Sequence, residues 1–221
     1  MVKPISSFID HTLLKATCNF ADIDKLCREA MEFGFAAVCV PPFVVKQAAQ
    51  ALKGSLVKTA TVIGFPMGYS SLEAKLAEIE GVIRDGADEL DTVINLIALK
   101  NGDWSYLEKE MQEQVTRIHE KGKIIKVIVE SGMLSKDDLV HCCNLYGPMG
   151  IDFMKTSTGY ADKGASVSDV QLMRAELPAG VQIKASGGIR HFNFAKELID
   201  AGADRLGCSA SIQIVQEEKQ A

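Results

Sequence analysis

No apolar run in this chain approaches the roughly 20 residues needed to span a bilayer, and the opening stretch MVKPISSFIDHTLLK holds no apolar core of signal-peptide length. Both absences predict a cytoplasmic protein with no membrane partner. No dense Lys/Arg block accompanies the net charge of -5, which argues against a surface that tracks nucleic-acid phosphates. The six cysteines (Cys18, Cys27, Cys39, Cys142, Cys143, Cys208) form no Cys-x-x-Cys pair, and a 221-residue chain builds a core without disulfide staples, so reduced thiols are expected. His11, His119, His141 and His191 are scattered, with no His-x-His or His-x-x-x-His spacing, which predicts no metal site. Gly-x-Gly-x-x-Gly, P-loop and nucleophilic-serine patterns are missing too, which speaks against dinucleotides, nucleoside triphosphates and serine hydrolysis.

What is present is an ordinary globular composition, 47% hydrophobic and 24% charged, without a linker or low-complexity run. One domain over residues 1–221 is expected. Its repeat lies in punctuation: glycine closes a helical pattern just before a short apolar run. Gly34, Gly54, Gly86, Gly122, Gly150, Gly180 and Gly202 precede FAAVCV, SLVKTATVIGF, ADELDTVI, KIIKVIVE, IDFMKTST, VQIKAS and ADRLGCS, after an opening strand FIDHTLL. Between them, SSLEAKLAEIEGVIRDG repeats Leu72, Leu76, Ile79 and Ile83 at helical spacing behind a Ser70/Glu73 capping-box pattern. SVSDVQLMRAEL does the same with Val170, Met173 and Leu177. Eight strands alternating with helices predict an α/β fold, a single-domain (βα)8 TIM barrel, with a doubly wound sheet as the alternative.

Chemistry in such a barrel gathers at the carboxyl ends of the strands. The polar residues there are Asp10, Thr12, Cys39, Asp91, Glu130, Lys155 and Lys184. Two lysines therefore end neighbouring strands, the sixth and seventh. A free lysine has a pKa near 10.4, so about one in 2500 is a neutral amine at pH 7. A second cation about 4 Å away, at an effective dielectric of 20, opposes the charged form by roughly 4 kcal/mol, equivalent to about three pKa units. Such a pair makes an amine nucleophile able to form a Schiff base with a carbonyl, with Asp91 placed to move protons. The plainer alternatives are a rim lysine or an ion pair of Lys155 with Glu130 or Asp91, a core thiol for Cys39 and a loop brace for Asp10.

The glycines after these lysines carry a second signal. ASGGIR and LGCSA place Gly187, Gly188, Gly207 and Ser209 in the loops after strands seven and eight, the usual phosphate position of the fold. A phosphorylated carbonyl substrate is the combined expectation.

The pieces IDHTLLK, GADELDTVIN, KVIVESGML, DFMKTSTG, IKASGGIR and RLGCSASI, in order from about Ile9 to Ile212, resemble the deoxyribose-phosphate aldolase family. The resemblance implies that Lys155 forms the Schiff base, Lys184 lowers its pKa and Asp91 relays protons. It further implies that Asp10, Thr12 and Cys39 line the sugar pocket, and that Gly159, Gly187, Gly188, Gly207 and Ser209 hold phosphate. The implied reaction is reversible cleavage of 2-deoxy-D-ribose 5-phosphate to acetaldehyde and D-glyceraldehyde 3-phosphate without metal or cofactor, by a homodimer. Another lysine-dependent aldolase or transaldolase, or a non-catalytic phosphosugar-binding barrel, is the alternative.

Three features depart from the family pattern. GYADKGAS puts Tyr160, Asp162 and Lys163 beside the expected phosphate entrance, Ala210 stands where serine is common, and EEKQA closes the chain where some relatives carry a tyrosine.

Overall fold

The computed structural model describes residues 3–220. Eight parallel strands close into a barrel in sequence order: β1 (Ile9–Thr12), β2 (Ala37–Val40), β3 (Lys58–Ile63), β4 (Glu89–Val93), β5 (Ile124–Ile128), β6 (Phe153–Lys155), β7 (Gln182–Ser186) and β8 (Arg205–Cys208). Each falls within its expected segment. Closure comes from β1 pairing with both β2 and β8, so the sheet has no free edge.

The outer layer comprises α1 (Phe20–Phe33), α2 (Val45–Ala51), α3 (Leu72–Arg84), α4 (Leu96–Lys100), α5 (Trp104–His119), α6 (Lys136–Tyr146), α7 (Val167–Glu176), α8 (Phe192–Asp200) and α9 (Ser211–Glu218). None of these helices is long and apolar enough to cross a membrane. Strand side chains alternate across the sheet. Ile9, Val38, Leu90, Val127, Met154, Ile183 and Leu206 join the main core, packing outward against helix residues such as Ile23, Ile79, Met111, Val170 and Ile214. Burying each such side chain contributes about 1.5–3 kcal/mol.

Local signals explain where the helices begin and end. Asn19 and Asp22 close a reciprocal capping box on α1, and Gly34 ends that helix at φ 66°, a left-handed conformation that glycine adopts without a Cβ penalty. The start of α3 differs from expectation. Its cap is Ser71, whose hydroxyl accepts from Ala74 N at 3.3 Å, rather than Ser70. Either serine fits the sequence pattern, and the docking of Leu76 and Ile79 selects the register. A buried pair, Lys75–Glu110 at 2.9 Å, ties α3 to α5, while Lys75 Nζ also donates to Val93 O at 2.7 Å.

Candidate active site

Inside the barrel, side chains of the same alternation divide into two halves. The β2–β3 half is small and apolar, with Ala37, Cys39, Ala60 and Val62 in one cluster. The other half is charged. Parallel register sets Asp91 beside Lys126 and Lys155 beside Lys184. Arg205 on β8 reaches across the interior to Glu89 on β4 at 3.3 Å, and to Asp10 at 2.5 Å.

Asp91 is the hub. Its Oδ2 accepts from Lys155 Nζ and Lys184 Nζ, each at 2.7 Å, and its Oδ1 accepts from Lys126 Nζ at 2.7 Å. Lys126 also pairs with Glu89 at 2.7 Å, and Lys184 donates to Asp10. Three carboxylates (Asp10, Glu89, Asp91) thus face four cationic side chains (Lys126, Lys155, Lys184, Arg205). Buried charge without a partner is costly, so the set favours losing one proton from a cation.

The surroundings select which one. Burial depresses the Lys155 pKa below its ordinary value; its single carboxylate partner, Asp91, opposes this, and the charge of Lys184 adds to the depression. Burial would also depress Lys184, but Asp10 and Asp91 outweigh it and hold the ammonium charged. The same holds for Lys126, where Asp91 and Glu89 overcome burial, and for Arg205, where Asp10 and Glu89 do. Burial would raise the carboxylates, yet their lysine and arginine partners drive Asp10 and Asp91 below the ordinary range. The neighbouring cation therefore assists Lys155, as its sequence position predicts, but burial is the larger cause.

Above this network opens a cavity of about 340 Å³. Lys155 borders it, together with Thr12, Gly159, Gly187, Gly207 and Ser209 among the residues expected from sequence. Asp10, Asp91 and Lys184 lie directly beneath, fully buried. Cys39 does not border the opening: it is buried within the apolar half, and burial raises its thiol pKa. Gly188 is exposed and lies outside the cavity lining. Asp162 and Lys163 line a separate cavity beside Met133 and Glu130, so they do not crowd the glycine-lined mouth as their sequence position suggests. Among the described residues, no three His, Cys, Asp or Glu side chains form a metal-holding group.

The hydroxyl run after Lys155 stitches two strands together. Thr156 Oγ1 accepts from Ser186 N at 3.1 Å, and Ser186 Oγ donates to Ser157 O at 2.6 Å. Thr158 turns the other way, where its N–H and hydroxyl both donate to the buried carboxylate of Glu130. Glu130 is thus held by Thr158, and among the described residues it makes no ion pair with a lysine. At φ 55° it is the one non-glycine residue in the left-handed region among those described, a strained conformation of the kind found where surrounding structure over-determines a loop. Gly187 must be glycine for a steric reason as well: at φ 87°, an added Cβ would sit 3.0 Å from Gly164 Cα and 3.3 Å from Gly159 Cα.

Sequence reasoning missed Lys126, Glu89 and Arg205. A signal was available, since each is a charged residue in a short strand most of whose other residues are buried.

A parallel barrel whose strand ends converge on an amine sharing its carboxylate with a second lysine belongs with the lysine-bearing barrel aldolases. Comparison with known proteins makes this specific: residues 5–213 match the DeoC/LacD family aldolase description, and the chain belongs to that family. It is 44% identical over 214 residues to the deoxyribose-phosphate aldolase of Aciduliprofundum boonei, covering 97% of this chain and 96% of the relative. It is 46% identical over 218 residues to that of Caldicellulosiruptor saccharolyticus, covering 98% and 99%. Among solved structures, the tetrameric deoxyribose phosphate aldolase from Aeropyrum pernix superposes with a TM-score of 0.91 at 32% identity, covering 97% of this chain and 91% of that one. The protein is therefore an enzyme of the aldolase class.

Proposed function

We propose that the protein cleaves 2-deoxy-D-ribose 5-phosphate reversibly to acetaldehyde and D-glyceraldehyde 3-phosphate through a Schiff base on Lys155. The observation that carries this reading is that Lys155 alone among the network cations borders the cavity, and its pKa alone among them is depressed. The names of the relatives supply the substrate.

In this mechanism the neutral Lys155 amine attacks the C1 aldehyde of the open-chain sugar, and the carbinolamine loses water to give an iminium. Asp91, beside that nitrogen, takes and returns the protons, with a water carrying them to the C3 hydroxyl. The C2–C3 bond breaks as that hydroxyl loses its proton. Its electron pair passes into the enamine, and glyceraldehyde 3-phosphate departs. Protonation at C2 and hydrolysis then release acetaldehyde and restore the amine. The iminium is the electron sink, so the chemistry calls for neither metal nor organic cofactor. Lys184 stays charged and opposes protonation of Lys155, while Asp10 anchors Lys184.

Thr12, Gly159, Gly187, Gly207 and Ser209 hold the sugar and its phosphate, with Gly188 shaping the turn and Cys39 backing the pocket from the apolar side. The start of α9 supports this reading, because Ala210 caps it with no side-chain hydrogen bond and its first N–H groups stay available to an anion. For assembly the proposal is a homodimer. The tetramer described for the Aeropyrum pernix relative is the competing state, and light scattering separates the two.

The test is intact-protein mass after borohydride treatment with and without acetaldehyde, followed by peptide mapping, on the wild type and on Lys155→Leu. A reduced two-carbon adduct at Lys155, absent from the variant, is expected, together with cleavage of deoxyribose 5-phosphate. No adduct near neutral pH would overturn the mechanism.

A further inference from the structure

Among the described residues, the cavity over Lys155 has one bordering cation that the buried network does not claim. Lys15, exposed, follows Leu14 in the loop after β1 and lines the cavity alongside Gly159, Gly187, Gly207 and Ser209. It also borders an adjoining cavity that contains two acids, Asp22 and Glu29. Both acids are engaged elsewhere. The Asp22 carboxylate accepts from Asn19 N at 2.9 Å in the α1 capping box, and Glu29 pairs with His11 at 3.1 Å and Lys25 at 3.7 Å.

The backbone holds Lys15 at this rim. Leu13 N donates to Cys39 O at 3.0 Å, and Tyr160 Oη donates to Leu14 O at 2.7 Å, with its ring edge-on to Phe65 at 5.4 Å. The loop after β1 is thus tied to β2 on one side and to the loop after β6 on the other. Neither Lys163 nor Arg190, the nearest cations in the neighbouring loops by sequence, lines this cavity.

A sugar phosphate entering the cavity brings about two negative charges. Backbone N–H groups can hold its oxygens but carry no full charge. Lys126, Lys184 and Arg205 are spent on Asp10, Glu89 and Asp91, and Lys155 becomes the imine. We propose that Lys15 supplies the phosphate's counter-charge and sets the preference for phosphorylated over neutral sugars. Lys15 acts as a point charge and takes no part in bond making, so it favours substrate and transition state alike. This rests on the Schiff-base reading above.

The experiment compares wild type, Lys15→Met and Lys15→Arg on 2-deoxyribose 5-phosphate and on 2-deoxyribose, at two salt concentrations. Lys15→Met is expected to raise KM for the phosphorylated sugar about tenfold, with kcat within about twofold and a weaker dependence on salt. Lys15→Arg should keep most of the wild-type KM. The KM for 2-deoxyribose should move in neither variant. An equal loss on both sugars would mean a merely structural role, and an unchanged KM for the phosphate ester would equally overturn the proposal. Borohydride trapping with acetaldehyde, which has no phosphate, separates this from the underlying mechanism. A wild type that forms no imine sinks the Schiff-base reading, whereas normal trapping with unmoved KM values sinks only the role of Lys15.

Discussion

Lys155 and Lys184 sit in register across the β6–β7 seam and donate to the same oxygen, Asp91 Oδ2, each at 2.7 Å. The two amines share one negative charge, but Lys184 has Asp10 as a second carboxylate partner, while Lys155 has no second one among the described residues. That asymmetry assigns the charged and neutral forms.

Lys184→Met is expected to move the alkaline rise of kcat/KM upward in pH. The folded-state pKa of Lys155 lies below 10.5, so the neutral fraction grows as pH rises toward that folded value. Removing the nearby cation raises it, and at any pH below both values each unit of upward shift costs about tenfold in neutral amine. A pH profile of the imine-trapping rate checks this. A midpoint that stays put would assign the whole depression to burial.

Lys126→Met should destabilise the fold while leaving the amine in place. The change strips Asp91 and Glu89 of a buried partner, which costs about 3 kcal/mol. For a chain of this size that corresponds to a fall in Tm of about 6–12 °C. Thermal unfolding reads the loss, and acetaldehyde trapping on Lys155 should persist. An unmoved Tm would mean that the partners left in place, Lys155 and Lys184 for Asp91 and Arg205 for Glu89, suffice to hold the two carboxylates.

Acid should unfold the protein partly through Asp10 and Asp91. Both have folded pKa values below 3.8, so between those values and 3.8 the unfolded chain binds more protons than the folded one. Their contribution is therefore complete above about pH 4–5 and drains away as pH falls below that, toward the folded values. Asp10→Asn removes one such group. It is expected to lower Tm at pH 7 and to flatten the decline of Tm between about pH 4 and 2. An undiminished slope would place the acid sensitivity elsewhere.

Glu130→Gln weakens the hold on Thr158 while keeping a similar shape. One oxygen remains to accept from Thr158, but the charge that its hydroxyl and N–H both face is gone, a loss of about 1–3 kcal/mol. Because Thr158 precedes Gly159 at the cavity, KM for the phosphosugar should rise more than kcat falls. Steady-state kinetics decide, and a change confined to kcat would instead place Glu130 in the proton path.

Much of this was legible before folding. Glycine at strand entries, apolar runs and helical spacing belong to neighbouring residues, and the backbone obeys them locally, so all eight strands fall where the pattern places them. Lys155, Lys184 and Asp91 stand out because strand ends are where this fold gathers chemistry. Lys126, Glu89 and Arg205 did not, because a charge at the start or middle of a strand has meaning only once its partner across the barrel is known. The sequence also could not separate the lining of the cavity from its backing. Thr12 and Ser209 border it, while Cys39, also near a strand end, is buried beside Ala60.

The sequence by itself determined the order of strands and helices, the absence of a spanning apolar run and the identity of the two neighbouring lysines. Each of these depends on residue type and on spacing along one stretch of chain. Only the closed barrel decided which lysine has one carboxylate and which has two, which cation is left at the mouth, and that Glu130 binds a threonine. Those outcomes depend on distances between strands far apart in sequence, and burial inside the barrel is what turns such distances into charge states.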